Sequence, residues 1–92
     1  MNVKKEKYFS DESYKKKIGL QLSIWRIEKG LSMEKLGYEI GVTDKTIKNI
    51  ERGICAPKAP LLDRILRFFN VTYEKFLTAT HDEIIEHLSQ TK

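Results

Sequence analysis

The chain has 92 residues and a formal net charge of +4, which fits one small domain and leaves no room for a second core. With 40% apolar and 33% charged residues it is too apolar for a disordered chain, and no apolar run approaches the roughly 18 residues of a membrane span. The basic start lacks the apolar stretch of a secretory signal, and a lone cysteine excludes a disulfide framework, so the expected compartment is the cytoplasm.

Apolar residues recur at helical spacing, and period-2 alternation of β-branched residues is lacking, so the expected class is all-α. Ser10 is a candidate cap for a first helix, with Asp11 and Glu12 in its first turn and Ile18, Leu22 and Trp25 on its apolar face. That helix ends at Lys29-Gly30, a basic last turn followed by glycine. Ser32 is the cap candidate of a short second helix to Ile40, with Leu36 and Ile40 inward. Gly41 follows, and Thr43 heads a third helix whose Asp44 suits the positive end of the helix dipole. The third helix is predicted to run to about Arg52 and stop at Gly53. Residues 54–60, with Pro57 and Pro60, read as a loop. Leu62, Ile65, Leu66 and Phe69 mark a fourth helix, and Thr72 caps a fifth that carries Phe76 and Leu77. The run Thr80-His81-Asp82-Glu83 has the form of a capping box before Ile84, Ile85 and Leu88, which predicts a sixth.

Charge concentrates in two places. Residues 1–17 hold six Lys against three acids, and residues 41–58 hold four basic residues against two; residues 18–40 balance, and 59–92 sum to −1. A basic arm is solubilising on its own, and is also the electrostatic footprint of a protein that binds a polyanion. The third helix has a readable geometry. With Ile47 at zero and about 100° per residue, Ile50 falls at about 300° and Glu51 at about 40°, both toward the inner side. Lys48, Arg52, Lys45 and Asn49 fall between about 100° and about 200°, on the opposite, solvent-facing side. Such a face suits a DNA major groove: Arg and Lys pair with guanine acceptors, and Asn bridges adenine N6 and N7.

The run from Leu31 to Gly53, closed by Pro57, resembles the Cro/cI-type helix-turn-helix family, the lambda-repressor-like regulators of bacteria and phages. The positions that carry the resemblance are the Gly30-Leu31-Ser32 lead-in, the Gly41 turn, Ile47, Ile50, Glu51 and Gly53 at the end of the third helix, and Pro57. It extends over about residues 15–78 and implies a compact five-helix lambda-repressor-like domain. Residues 1–14 would then be a basic arm or the start of the first helix, and 79–92 a helical extension. By resemblance, the second helix crosses the DNA backbone and the third reads bases. Thr43, Asp44, Lys45 and Asn49 match base-contacting positions. Ser32, Thr46, Lys48, Arg52 and Lys58 match positions near phosphates. Arg26 and Glu51 match an ion pair joining the first and third helices, a structural role. The implied activity is sequence-specific binding of double-stranded DNA by a homodimer on a pseudo-palindromic operator, in repression, with no cofactor and no catalysis.

The chain departs from the family pattern at four places. Met33 stands where a backbone-holding glutamine is frequent, which removes that contact and leaves the helix N-terminus to present its amides. Gly37 replaces the usual alanine, keeping packing room at about 1 kcal/mol of helix propensity. Leu66 replaces an alanine of the fourth helix, which implies different packing there. Asp44 either accepts from a cytosine N4 or serves only as an acid at the helix start. The rival readings are an antitoxin-like protein that neutralises a partner, with Ile84, Ile85 and Leu88 as candidate contacts, and an interaction module that has lost DNA binding. His81 and His87 lie about 240° apart around a helix, with His81 expected outside it, so the pair does not make a metal site. Trp25, Phe68, Phe69 and Phe76 are expected as core or dimer contacts.

Overall fold

The computed structural model describes residues 11–90, in which there are six helices and no strand. They are α1 Asp11–Glu28, α2 Met33–Ile40, α3 Asp44–Glu51, α4 Ala59–Phe69, α5 Tyr73–Thr78 and α6 His81–Gln90. The arm lysines Lys4, Lys5 and Lys7 and the proposed cap Ser10 lie outside the described residues. α1 is already helical at Asp11, ahead of residue 15.

The helix starts are built by side chains close in sequence. Ser32 Oγ accepts from Lys35 N at 3.0 Å, and Thr43 and Thr72 make the same bond to Thr46 N and Lys75 N. Each satisfies a backbone donor that the helix cannot. Thr80 and Glu83 form a reciprocal box: Thr80 N donates to Glu83 Oε1 at 2.9 Å, and Glu83 N to Thr80 Oγ1 at 3.2 Å. His81, expected before the helix, is its first residue. Pro60, expected in a loop, lies in the first turn of α4, where a missing N–H costs nothing because first-turn donors lack helical acceptors. α3 ends at Glu51 with Arg52 as its C-cap, one residue earlier than the spacing suggests.

Each helix contributes to one core. Ile18, Leu22 and Trp25 from α1 meet Leu36 and Ile40 from α2, Ile47 and Ile50 from α3, Ile65 and Phe69 from α4, Phe76 from α5 and Ile84 from α6. The segment after residue 78 is therefore part of the packing: Ala79 and Ile84 are both buried. Trp25 is the centre. Its ring lies 5.6 Å from Phe69, 5.9 Å from Phe76 and 5.4 Å from His87. Phe68 sits at the edge, half-buried, with the Lys29 ammonium 5.3 Å above its ring.

Buried polar groups tie the helix ends together. Gln21 is 93% buried by its 7% exposure, and its Nε2 donates to the carbonyls of Phe76 at 2.9 Å and Ala79 at 3.1 Å. Trp25 Nε1 donates to the same Phe76 carbonyl at 3.1 Å. These bonds satisfy carbonyls at the end of α5 that have no helical donor. His87 Nε2 lies 3.2 Å from the Phe69 carbonyl and 3.0 Å from that of Asn70, so this nitrogen carries a proton, and α6 closes the end of α4.

Tyr14 of α1 gives a pH prediction. Burial first, then its hydrogen bond to Tyr73 and the proximity of that second phenol, push its pKa from 10.0 up to about 12. Folding thus holds the proton on, so this contribution to stability is complete below pH 10 and is lost as pH rises through about 12. Denaturant unfolding across that window should show stability falling with pH in the native sequence and a shallower fall in Tyr14→Phe. Equal slopes would remove Tyr14 as the cause.

Candidate nucleic-acid interface

Two short helices and a three-residue turn make the site. Gly41 ends α2 in the left-handed region at φ 83°, which a side chain would strain, and Val42 N then donates back to the Gly37 carbonyl at 2.8 Å. Gly37 has a second use. A Cβ built there would stand 2.5 Å from the Val42 carbonyl oxygen and 3.1 Å from the Thr43 carbonyl carbon. The expectation that packing room is merely kept is therefore corrected: the turn lies closer to α2 than an alanine permits, and glycine is what the approach requires.

α3 is held from beneath by α1. A Cβ on Gly19 would fall 2.3 Å from the Ile50 carbonyl oxygen and 2.9 Å from that of Glu51, so the two backbones touch. Seven residues along α1, Arg26 grips α3 with a two-pronged bond. Its Nε donates to Glu51 Oε2 at 2.7 Å and its Nη2 to Glu51 Oε1 at 3.0 Å. Its Nη1 donates to the Leu31 carbonyl at 2.8 Å, which pins the turn between α1 and α2 as well. The two side chains are 13% and 6% exposed. Such paired geometry is directional as well as strong, so it sets the rotation of α3 about its axis.

That rotation decides what faces outward. Ile47 and Ile50 are buried, and Thr43, Asp44, Lys45, Lys48 and Arg52 are exposed. Asn49 departs from the helical-wheel reading: it is half-buried, not fully turned to solvent. The chain folds back beside it after α3, where Ile54 N donates to the Asn49 carbonyl at 2.9 Å. Thr46 is also half-buried, its hydroxyl 3.2 Å from that of Thr43. Ser32 sits exposed at the start of α2, and Lys58 exposed at the start of α4, where it makes no side-chain cap bond. The Ser32 hydroxyl accepts from the backbone, which leaves its own hydrogen free to donate to an anion.

Three supporting residues lie outside the sequence reading. Gln21 falls in register with Ile18, Leu22 and Trp25, so a polar residue on an apolar stripe was a legible signal. Gly19 had none, since its need arises only from the arrival of α3. Arg64 of α4 donates from Nε to the Ile40 carbonyl at 2.9 Å and so closes the end of α2, again without a local signature.

A capped helix crossing beneath a second one, with a cationic outer face locked by an ion pair, is the architecture of a helix-turn-helix DNA-binding domain. A helix-turn-helix family model matches residues 22–76, and the chain belongs to this family, of the Cro/cI type. It is a DNA-binding transcriptional regulator, from a family whose members act by binding and not by catalysis. No curated protein and no solved structure matches the chain. Among the described residues, no helix is long and apolar enough to cross a membrane.

Proposed function

We propose that the protein is a cytoplasmic repressor that reads a specific sequence in double-stranded DNA. The observation that carries this reading is the outer face of α3, where Lys45, Lys48 and Arg52 are exposed above a base clamped by Arg26 and Glu51. In this account Thr43, Asp44, Lys45 and Asn49 meet base edges. Ser32, Thr46, Lys48, Arg52 and Lys58 meet phosphates. Phosphate contacts supply much of the affinity and make it salt-dependent; base contacts supply the preference. Two copies would set their α3 helices in successive major grooves about 34 Å apart on a pseudo-palindromic operator, and occupancy near a promoter would exclude polymerase. Asp44, exposed in the first turn of α3, accepts from a cytosine in this reading or serves only the helix dipole.

Selection of binding sites from random duplex DNA tests this directly, with Asn49→Ala in parallel. The expected result is a motif of two half-sites one helical turn apart, with discrimination at one base pair of each half-site reduced by about 1–3 kcal/mol in the variant. Enrichment of no motif would overturn sequence-specific repression. The antitoxin-like alternative draws less support from the apolar residues that suggested it. Ile84 is buried and Leu88 packs against the core, which leaves Ile85 as the exposed member of that group.

A further inference from the structure

Resting on the DNA-binding reading above, we propose that Lys16 of α1 is a DNA-phosphate contact, so that the footprint runs beyond the two helices of the motif onto the first helix. α1 passes directly under the exit of α3. Gly19 faces the carbonyls of Ile50 and Glu51, and one turn earlier Lys16 arrives beside Gly53, the residue at which α3 gives way to the loop. A Cβ on Gly53 would stand 3.4 Å from Lys16 Cγ and 3.6 Å from Lys16 Cα. These are ordinary contact distances, so Lys16 packs directly beside the end of the reading helix, where Gly53 takes the left-handed turn at φ 76°. Arg52, exposed, immediately precedes Gly53, and Lys48, also exposed, lies one turn before Arg52. Lys48 and Arg52, one turn apart on α3, and Lys16, packed beside the glycine that follows Arg52, therefore bring three exposed cations to the C-terminal end of the reading helix.

Several other cations of the fold are engaged, although Lys17, Lys45 and Lys58 are exposed and, among the described residues, have no acidic partner. Arg26 is bound to Glu51, Lys35 to Glu39 at 3.4 Å, Arg67 to Asp63 at 2.8 Å and Arg64 to the Ile40 carbonyl, while Lys29 stands over Phe68. Among the described residues, Lys16, Lys48 and Arg52 have no acidic partner, and Lys16 is exposed. Lys17 is the internal contrast. It is also exposed and carries the same charge on the same helix, but lies about 100° further round from the position that meets Gly53. A purely structural role for Lys16 exists too, since a cation near the end of α3 complements its dipole. The two roles differ in what they change: a phosphate contact changes the salt dependence of binding, whereas a dipole partner changes the melting temperature.

The test uses the full chain, its Lys16→Gln and Lys17→Gln variants, and a mixed-sequence duplex of about 30 base pairs, because a phosphate contact requires no particular sequence. Binding is followed by fluorescence anisotropy over a salt series, and each variant is melted by circular dichroism. Lys16→Gln should weaken binding about five- to tenfold near 0.1 M salt and lower the slope of log affinity against log salt by about 1. Lys17→Gln should stay within about twofold of the native sequence with the slope unchanged. Native binding with both variants alike would overturn the role of Lys16 and leave the DNA-binding reading standing. A lowered melting temperature with an unchanged slope would also overturn it, in favour of the dipole role. A native chain that binds no duplex would remove the DNA-binding reading, and the role of Lys16 with it.

Discussion

Replacing Glu51 with alanine should lower the unfolding free energy by about 3–5 kcal/mol, because it strands the Arg26 guanidinium in a largely dry site. Both side chains are nearly buried, and Arg26 spends two of its donors on the carboxylate. The remaining bond to the Leu31 carbonyl satisfies one donor and none of the charge. A chain of 92 residues has about 5–14 kcal/mol of stability in total, so the loss takes a large share of it. Urea unfolding of the variant measures this. The double replacement Arg26→Met/Glu51→Leu should recover most of the loss, since removing both charges also removes their desolvation penalty. A loss under about 1 kcal/mol for Glu51→Ala would mean that the pair behaves like a solvent-exposed one, and that packing alone orients α3.

Gly19→Ala is expected to destabilise by about 1–3 kcal/mol, although alanine is favoured over glycine by about 1 kcal/mol within a helix. The added methyl would meet two backbone carbonyl oxygens, at 2.3 and 2.9 Å, and a backbone cannot swing aside as a side-chain tip can. α1 and α3 must therefore separate. That shift strains the bond between Arg26 and Glu51, so DNA affinity should fall along with stability. Lys17→Ala, on the exposed side of the same helix, is the reference for helix propensity alone. If Gly19→Ala melts higher than the native chain, the close contact is not limiting. Both changes loosen the hold of α1 on α3, so the DNA affinity of each variant is read at a temperature where circular dichroism shows the protein folded.

The reading face was legible because it follows from short-range periodicity. Once Ile47 and Ile50 are assigned to the core, Lys45, Lys48 and Arg52 must lie outside. Asn49 was less legible because a helical wheel places a residue on a face and does not contain the packing that decides how far it is buried. The same reason explains Gly37. A small residue was expected there, but the distance of closest approach to the turn, and hence glycine over alanine, is a property of two packed backbones.

The sequence by itself determined the elements, their caps and the class of protein. Ser32, Thr43, Thr72 and the Thr80–Glu83 box act on donors within three residues, so their roles need no knowledge of the fold. Tertiary structure alone decided how distant segments serve one another. Gln21 and Trp25 close the end of α5, Arg64 closes the end of α2, and His87 closes the end of α4. These partners are between 17 and 58 residues apart. A helix always ends with unsatisfied carbonyls, and a local sequence can only partly satisfy them. Which side chain arrives to complete the set depends on how the helices pack, and that is settled by the burial of their apolar faces around Trp25.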